Sequence, residues 1–423
     1  MVKKEFNPLI FSALILIILI YGKVIKLPQN GLLTLLPDDQ VAYIQGTVNS
    51  NPSKINDRYY SINLTMKNVT SNNGVMASAS GIQKFLIPAE IVEAFYPDKL
   101  NSRNTESKSL IPIEQNVVLN GSVKIHKTED NGNFFILEKI NQSYFEDGFF
   151  SFFYKLRALC RIQFKRLMAA WGTAGGFLLA LLSGSKEYLD PEMNNCFRLS
   201  GLSHILALSG MHLTLISSAA GILENKTALK RTGLFIKIFI ILLFVWFAGL
   251  SPSLLRALIN CLLVSCCVFF NIPKVNALSL LSVTFLVHGM IKPEDLLNTG
   301  FLFSYSALAG ILIASKSVRS LISRFAPLNT AESLSASIGA NIFTTPVSIK
   351  FFGYFCPGGI ISTLFVSPLI TFFLYSGLIL FILSLCIPFF VSIAGFFMNV
   401  LYTLIEGMVK FWSFIPIISF SQS

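Results

Sequence analysis

The strongest constraint on the fold is a series of apolar runs that begins near residue 171. A helix needs about 20 apolar residues to cross the hydrocarbon core of a bilayer, and several of these runs reach that length. Charged residues make up only 13% of the chain, against about 25% in soluble domains. The sequence therefore predicts a polytopic α-helical membrane protein. Its expected spans lie near residues 171–184, 202–223, 233–250, 254–270, 275–291, 298–315, 334–352, 358–387 and 389–414.

The residues before these runs predict two further units. Residues 6–22 are apolar and flanked by lysines, with no small-residue cleavage site, so they predict an uncleaved membrane anchor that makes residues 1–36 an anchor and linker. Residues 37–145 contain five short, partly alternating segments separated by Asn, Gly, Asp and Pro. This pattern predicts a small all-β barrel. Aromatics are few, and ten basic residues face eleven acidic ones between Asp38 and Lys139, which favours a structural or docking role over nucleic-acid binding.

Residues 149–172 combine basic and apolar side chains in a helical pattern. The pattern is typical of an amphipathic helix that lies in the membrane interface. Its basic residues are candidates for contact with the phosphates of lipid or, in the alternative interpretation, of DNA. They are Lys155, Arg157, Arg161, Lys165 and Arg166.

The net charge of +11 belongs to the membrane part, because residues from Ser151 onward hold nineteen Lys or Arg against eight Asp or Glu. The ordinary explanation is retention of basic loops on the cytoplasmic side. The loops at 224–231 and 316–324 then face the cytoplasm, and the turns at 251 and 292 face outside. A polyanionic partner such as nucleic acid is the alternative.

Two of the four histidines, His204 and His212, lie in one apolar run. Eight residues of straight helix separate them by about 12 Å, so they cannot bind one metal ion unless the helix breaks. Ser209 and Gly210 are placed to provide such a break, as in membrane helices that line a cavity. Together with Ser203 they predict a polar, inward-facing segment; hydrogen bonding between helices is the competing explanation.

Polar residues in two later runs are also candidates. Ser251 precedes a Pro-Ser pair that can start a helix, which places Arg256 near its first turn. Arg256 either extends to the interface or contacts a phosphate at a pore mouth. Gly300 and Ser304 are small, which favours close helix packing.

The sequence offers no pattern for catalysis. It lacks GxxxxGK[ST], HExxH and GxSxG motifs, and neighbours such as Ser203 and His204 point about 100° apart on a helix. The seven cysteines show no ligand spacing. We therefore expect no catalytic residue, no metal site and no cofactor; an intramembrane hydrolase is the less favoured alternative.

Several motifs together resemble those of the ComEC competence family. They are "SGLSHILALSGMHLTLI", then "FAGLSPSLLRALI", then "LVHGMIKPEDLLNTGFLFSYSALAGI", in that order along the chain. The resemblance implies a competence-type multi-span domain over residues 173–415 and an OB-like domain outside the cytoplasm. Matching positions, implied to line a pore or pack in its core, are Ser203, His204, Ser209, Gly210, His212, Ser251, Arg256, Gly300 and Ser304.

The resemblance also implies a function, which is uptake of single-stranded DNA through a channel in the bacterial cytoplasmic membrane during natural transformation. Membrane lipid and DNA are the implied partners, alongside a separate DNA receptor, nuclease and cytoplasmic motor, and a homo-oligomer is left open. The chain departs from the family pattern at Ser185, at Asn298-Thr299 and at Leu302, and we expect it to lack the metallo-β-lactamase-like domain that many members carry. A small-solute transporter with the same fold is the alternative.

Overall fold

The computed structural model describes residues 8–21, 31–37, 40–93, 111–127, 133–208, 210–226, 230–272, 275–325, 327–387 and 389–420. It divides into an N-terminal β-rich domain and a helical part. The strands of the β-rich domain are β1 (Leu33–Thr34), β2 (Val41–Val48), β3 (Ser53–Lys54), β4 (Tyr59–Ser71), β5 (Met76–Ser80), β6 (Ile82–Pro88), β7 (Val117–Lys127) and β8 (Asn133–Phe145).

Five of these strands close into a ring. β2 pairs with β4 on one side and with β7 on the other, β7 pairs with β8, and β6 pairs with β4. The ring closes where β6 and β8 run parallel, with Phe85 opposite Phe135. The sheet has no free edge along these five strands, as in a closed barrel.

Along much of these strands every second side chain is buried, and these side chains form the core at the centre of the ring. In β4, Ile62, Leu64 and Met66 are buried, whereas Asn63 and Thr65 between them are exposed. Successive side chains of a strand point to opposite faces, so one face of each strand supplies the core. The predicted set of alternating strands is therefore confirmed in this region.

The α-helices of the described residues belong to the helical part, except for the second, which lies between β6 and β7 of the β-rich domain. They are α1 (Pro8–Tyr21), α2 (Ala89–Glu93), α3 (Ser151–Ala170), α4 (Gly172–Ser183), α5 (Pro191–Leu199), α6 (Ser203–Leu206), α7 (Gly210–Lys226), α8 (Lys230–Ala248), α9 (Pro252–Phe269), α10 (Ala277–Ile291), α11 (Thr299–Ile322), α12 (Leu328–Phe352), α13 (Gly358–Cys386) and α14 (Phe390–Ser413). Two short strands, β9 (Tyr354–Phe355) and β10 (Ile418–Ser419), pair near the C-terminus.

Four helices in the described part of the chain are long and apolar enough to cross a membrane: α9, α11, α13 and α14. Shorter apolar helices occur within α1, α4, α8 and α10. The first of these, α1, packs its Ala13 and Ile20 against Leu281 and Phe285 of α10. The predicted apolar anchor is thus a helix packed on the later spans.

Two predicted spans differ from the observed structure. The helix over the predicted span 334–352, α12, is not among the described helices that are apolar enough to cross a membrane. The run over residues 202–223 is not a single helix, because α6 ends at Leu206 and α7 begins at Gly210. The sequence also gave no expectation of α5, which begins behind an Asp190 cap and Pro191. That helix is short and polar, so it carries no signal of a membrane span.

Helices α11 and α12 pack backbone to backbone. A Cβ atom added at Gly310 would lie 2.2 Å from the carbonyl oxygen of Gly339. Such an approach requires glycine on both helices, as at small-residue interfaces in membranes. The close packing that Gly300 and Ser304 led us to expect on this helix is found at Gly310; a Cβ at Gly300 would contact only the Asn298 side chain.

Candidate functional site

The two histidines of the opening motif lie on either side of a real helix break. Ser209 lies outside the described residues, but the ends of α6 and α7 at Leu206 and Gly210 confirm the predicted interruption. His204 is exposed, and its Nδ1 lies 3.2 Å from the carbonyl oxygen of Gly201. His212 is buried beside an apolar pocket.

The two histidines differ in how far their side chains are exposed to solvent. Ser203, next to His204, is also exposed, whereas His212 is 1% exposed. Among the residues that the structure describes, no group of three or more His, Cys, Asp or Glu side chains could hold a metal ion. The two histidines therefore lie in different surroundings, one exposed and one buried.

The start of α9 is tied to the break by Ser251. Its hydroxyl accepts a hydrogen bond from the Leu254 N–H, at 3.3 Å, and donates one to the carbonyl oxygen of Leu208, also at 3.3 Å. Serine in this position caps the free N–H groups at a helix start. Ser251 thereby fixes the N-terminus of α9 beside the N-terminus of α7.

Arg256 extends from the first turns of α9 toward this break. A Cβ added at Gly210 would lie 2.9 Å from the Arg256 Nη2 atom, so the guanidinium lies against the backbone where α7 begins. On its other side, the Arg256 Cζ atom lies 5.9 Å from the centre of the Tyr305 ring. That distance suits a cation–π contact.

The charge of Arg256 has no counter-charge within the described ranges. No ion pair of Arg256 with a carboxylate is found there, and its Nε atom is buried without a hydrogen-bond partner. An ionised side chain among membrane helices is costly and normally pairs with an opposite charge or faces water. An unpaired arginine here is therefore a candidate anion contact.

A third helix begins at the same place. The Ser253 hydroxyl donates to the carbonyl oxygen of Gly300, at 3.3 Å, and the Asn298 side chain caps α11 by accepting from the Gly300 N–H at 2.8 Å. Ser304 lies one turn further along α11 and is half-buried. The N-termini of α7, α9 and α11 thus converge near Arg256, and each carries a partial positive charge.

A polar stripe continues from the break along α7. Thr214 and Ser218 follow Gly210 at four-residue spacing, which puts all three on one face of the helix. Both Thr214 and Ser218 are exposed. The Thr214 hydroxyl donates to the carbonyl oxygen of Met211 at 2.7 Å, and the Ser218 hydroxyl donates to that of Thr214 at 2.8 Å.

A buried polar chain, which sequence reasoning missed, supports the Tyr305 ring. The Tyr305 hydroxyl donates to the Thr284 carbonyl oxygen at 3.2 Å and lies 3.3 Å from His288 Nδ1. His288 Nε2 lies 3.2 Å from Asp295 Oδ2, and Asp295 pairs with Lys292 at 3.2 Å. These contacts hold the ring that faces Arg256.

A second polar cluster joins the β-rich domain to the helices. We call it the polar joint; its members are Glu114, Arg157, Arg161, Lys165 and Glu187. Glu114 accepts from Arg161 Nε at 2.9 Å and from Lys165 Nζ at 2.5 Å, and Lys165 also reaches Glu187 at 3.1 Å. Glu114 precedes β7, so these ion pairs fasten that domain to α3.

The polar joint also reaches the end of a membrane-part helix. Arg161 donates to the carbonyl oxygen of Phe247 in the last turn of α8, at 3.0 Å, and to the Ser185 hydroxyl at 2.6 Å. Arg157 donates to the Gln115 side chain at 2.8 Å. The last carbonyls of a helix lack partners within it, and Arg161 supplies one.

Burial and ion pairing in the polar joint shift the pKa values of its members. Burial alone would raise the pKa of Glu114, but Lys165 and Arg161 outweigh it and lower that pKa to about 2. Burial would lower the pKa of Lys165, yet the two carboxylates raise it. For Glu187, burial dominates and raises the pKa. Burial, with the nearby Arg161, lowers the pKa of Arg157 to about 10.

This geometry changes the interpretation of the predicted basic helix. Arg157 and Arg161 are buried and Lys165 is paired with two carboxylates, so these three side chains point into the protein and not toward an external phosphate. Arg166 is exposed. The sequence showed the positive charges but not their partner Glu114, which lies 47 residues before Arg161.

Comparisons with known proteins agree with the motifs around the helix break. A family model described as Competence protein matches residues 181–422, more than half of the chain. The chain belongs to the competence protein family. The family match contains the helix break, Arg256 and the polar chain behind Tyr305, and it leaves out the β-rich domain.

One curated relative in this family comes from Bacillus subtilis (strain 168) and is named ComE operon protein 3. The two chains are 23% identical over 205 residues, which are 48% of this chain and 25% of the relative. The alignment thus spans about a quarter of the relative's length. No solved structure matches this competence-family chain.

Proposed function

We propose that this chain is a channel component that passes single-stranded DNA across the bacterial cytoplasmic membrane in natural transformation. Membership of the competence protein family supports a role in competence, and the site supports a polyanionic substrate. The observation that carries the proposal is Arg256, a cation that has no counter-charge among the described residues and lies where three helix N-termini meet. Phosphate groups bind favourably at such termini.

The channel proposal extends along the polar stripe of α7. A strand entering at the break meets Arg256 and then Thr214 and Ser218, which present hydroxyls without fixed charge. One arginine followed by neutral polar groups favours entry of a phosphate chain without holding it tightly, as conduction requires. In this proposal the chain acts by conduction rather than catalysis, and a DNA receptor, a nuclease and a motor act with it as separate proteins.

We further propose that the β-rich domain is an OB-like barrel on the extracytoplasmic side. The order of strands in its ring supports this assignment, because the ring closes through a parallel pair, β6 and β8, which are the third and fifth long strands. α2 lies between the third and fourth long strands, as a helix does in many OB barrels. The outward position follows from the basic loops, which are expected on the cytoplasmic side.

The experiment that tests the proposed function is deletion of the gene in its own organism. Transformation by marked chromosomal DNA should be lost, and an intact copy in trans should restore it. Uptake of small solutes should be unaffected. Unchanged transformation in the deletion strain would refute the role in DNA uptake, and a solute-transport defect in its place would favour the alternative transporter.

Sidedness is tested by a cysteine placed at Asn72, in the exposed turn between β4 and β5. We expect an impermeant thiol reagent to label it in intact cells, after permeabilisation of any outer membrane. Cys160, Cys266 and Cys386 are exposed, so these three are replaced by serine before the cysteine at position 72 is added. Cys196 is buried, and its labelling would report unfolding. Labelling of position 72 only after lysis would place the β-rich domain in the cytoplasm.

A further inference from the structure

The first half of α3 and the two residues before it carry a concentration of exposed aromatic side chains. Phe149 is 87% exposed, Phe152 is 66% exposed and Phe153 is 48% exposed. Other large apolar side chains of the same segment are exposed as well. We define the aromatic patch as Phe149, Phe150, Phe152, Phe153, Leu156 and Leu159.

The opposite face of α3 is fixed inside the protein. Arg157, Arg161, Phe164 and Met168 are buried and follow helical spacing. Phe152, Leu156 and Leu159 lie on the other side of the helix and are exposed. Phe153 is four residues before Arg157, so it lies on the side of the buried residues and is exposed one turn before they begin. A helix with one face buried in this way presents its other face outward. The aromatic patch is therefore a fixed outer surface and not the result of a loosely attached helix.

The position of the aromatic patch relative to α8 indicates that lipid covers the patch. Arg157 and Arg161 both donate to the carbonyl oxygen of Phe247, in the last turn of α8. An apolar stretch, Thr232–Ala248, makes up most of α8. The patch lies on the helix that contacts the end of this apolar stretch, where a membrane helix meets the headgroup region.

The charges near the patch also fit a lipid surface. Residues 148–186 contain no Asp or Glu, and Lys155 is exposed beside the aromatics. Aromatic side chains are enriched at the boundary between lipid and water, and exposed patches of this size are rare on surfaces that face only water. The acidic residues nearest to the patch along the chain are Glu146, which pairs with Lys67, and Asp147.

We infer that the aromatic patch of α3 inserts into the outer boundary of the bilayer and anchors the junction between the β-rich domain and the membrane helices. The sequence pattern suggested a basic helix resting on lipid phosphates. The structure changes this assignment: Arg157, Arg161 and Lys165 point inward, and the aromatic side chains meet the lipid. This inference is independent of the substrate that the channel passes.

The test uses the full-length protein in liposomes that contain spin-labelled lipids. A fluorescent amino acid is placed at Phe153 or, as a matched control of equal exposure, at Tyr43 on the β-rich domain, which is 49% exposed. Interfacial helices bury their apolar face about 5–10 Å deep, so quenching should be about threefold stronger at Phe153 than at Tyr43.

Two outcomes would overturn the inference. Equal quenching at the two positions would show that the patch faces water. Weak lipid quenching at Phe153 with self-quenching between labelled chains, lost on dilution into excess lipid, would show that a second copy covers the patch. A second variant, Phe152→Ser, should reduce lipid quenching at Phe153 while the circular dichroism spectrum stays unchanged.

Discussion

Replacing Arg256 by glutamine is expected to lower transformation by about 10- to 100-fold at unchanged protein level. A hydrogen bond to a charged group is worth about 1.5–3 kcal/mol, and each 1.4 kcal/mol corresponds to about a factor of ten. Glutamine keeps a polar side chain of moderate length but removes the charge that a phosphate would meet. Transformation by Arg256→Lys should fall between that of wild type and that of Arg256→Gln, because lysine keeps the positive charge but lacks the planar guanidinium group.

The control for Arg256 is Lys350→Gln. Lys350 is a cation in the last turn of α12, and its side chain is exposed. Long basic side chains near helix ends extend to the interface, so its loss should leave transformation near the wild-type level. Equal transformation by wild type and Arg256→Gln, at matched membrane content, would contradict a phosphate contact at Arg256.

The largest loss of stability is expected from Glu114→Gln. This change leaves Arg161 and Lys165 buried with one carboxylate fewer. Removing one partner of a buried ion pair costs about 3–5 kcal/mol. The free energy of unfolding, measured by denaturant titration of the purified protein in detergent, should fall by an amount of this order.

Glu146→Gln provides the matched control for that loss. Glu146 pairs with Lys67 at the surface, where its side chain is 68% exposed, and such pairs are worth about 0–1 kcal/mol. The double variant Glu114→Leu/Arg161→Leu should lose less stability than the two single changes added together. Equal effects of Glu114→Gln and Glu146→Gln would contradict the structural importance of the polar joint.

The contribution of Glu114 has a defined pH dependence. Its pKa is about 2 in the folded protein against an ordinary value of 4.5. Because the folded pKa is the lower one, the stabilisation is complete above pH 4.5 and is lost as the pH falls through 2. The difference between wild type and Glu114→Gln should therefore shrink in that acidic range.

Local patterns in the sequence predicted much of the fold. Apolar length alone located the helix seen at Pro252–Phe269 within two residues, and alternation indicated the β-rich region. The break before Gly210 could also be predicted, because glycine beside serine in an apolar run weakens a helix. These features depend on neighbours along the chain, so they are visible without the three-dimensional structure.

The parts that could not be predicted depend on contacts across the fold. No pattern among neighbouring residues shows that Glu114 pairs with Arg161. The sequence therefore could not predict that the basic side chains of α3 point into the protein. The support of Tyr305 by His288 and Asp295 likewise joins the end of α10, the following turn and α11. A histidine followed seven residues later by an aspartate is too weak a pattern to reveal that arrangement.

The most direct test of the DNA path is site-specific crosslinking during uptake. A photo-crosslinking amino acid is placed at Thr214, on the polar stripe of α7, or at Phe239, an exposed apolar position of α8. Variants that still transform are irradiated while cells take up labelled DNA. We predict DNA adducts at position 214 and lipid adducts without DNA at position 239. DNA adducts at both positions alike, or none at position 214 while transformation proceeds, would contradict a path along α7.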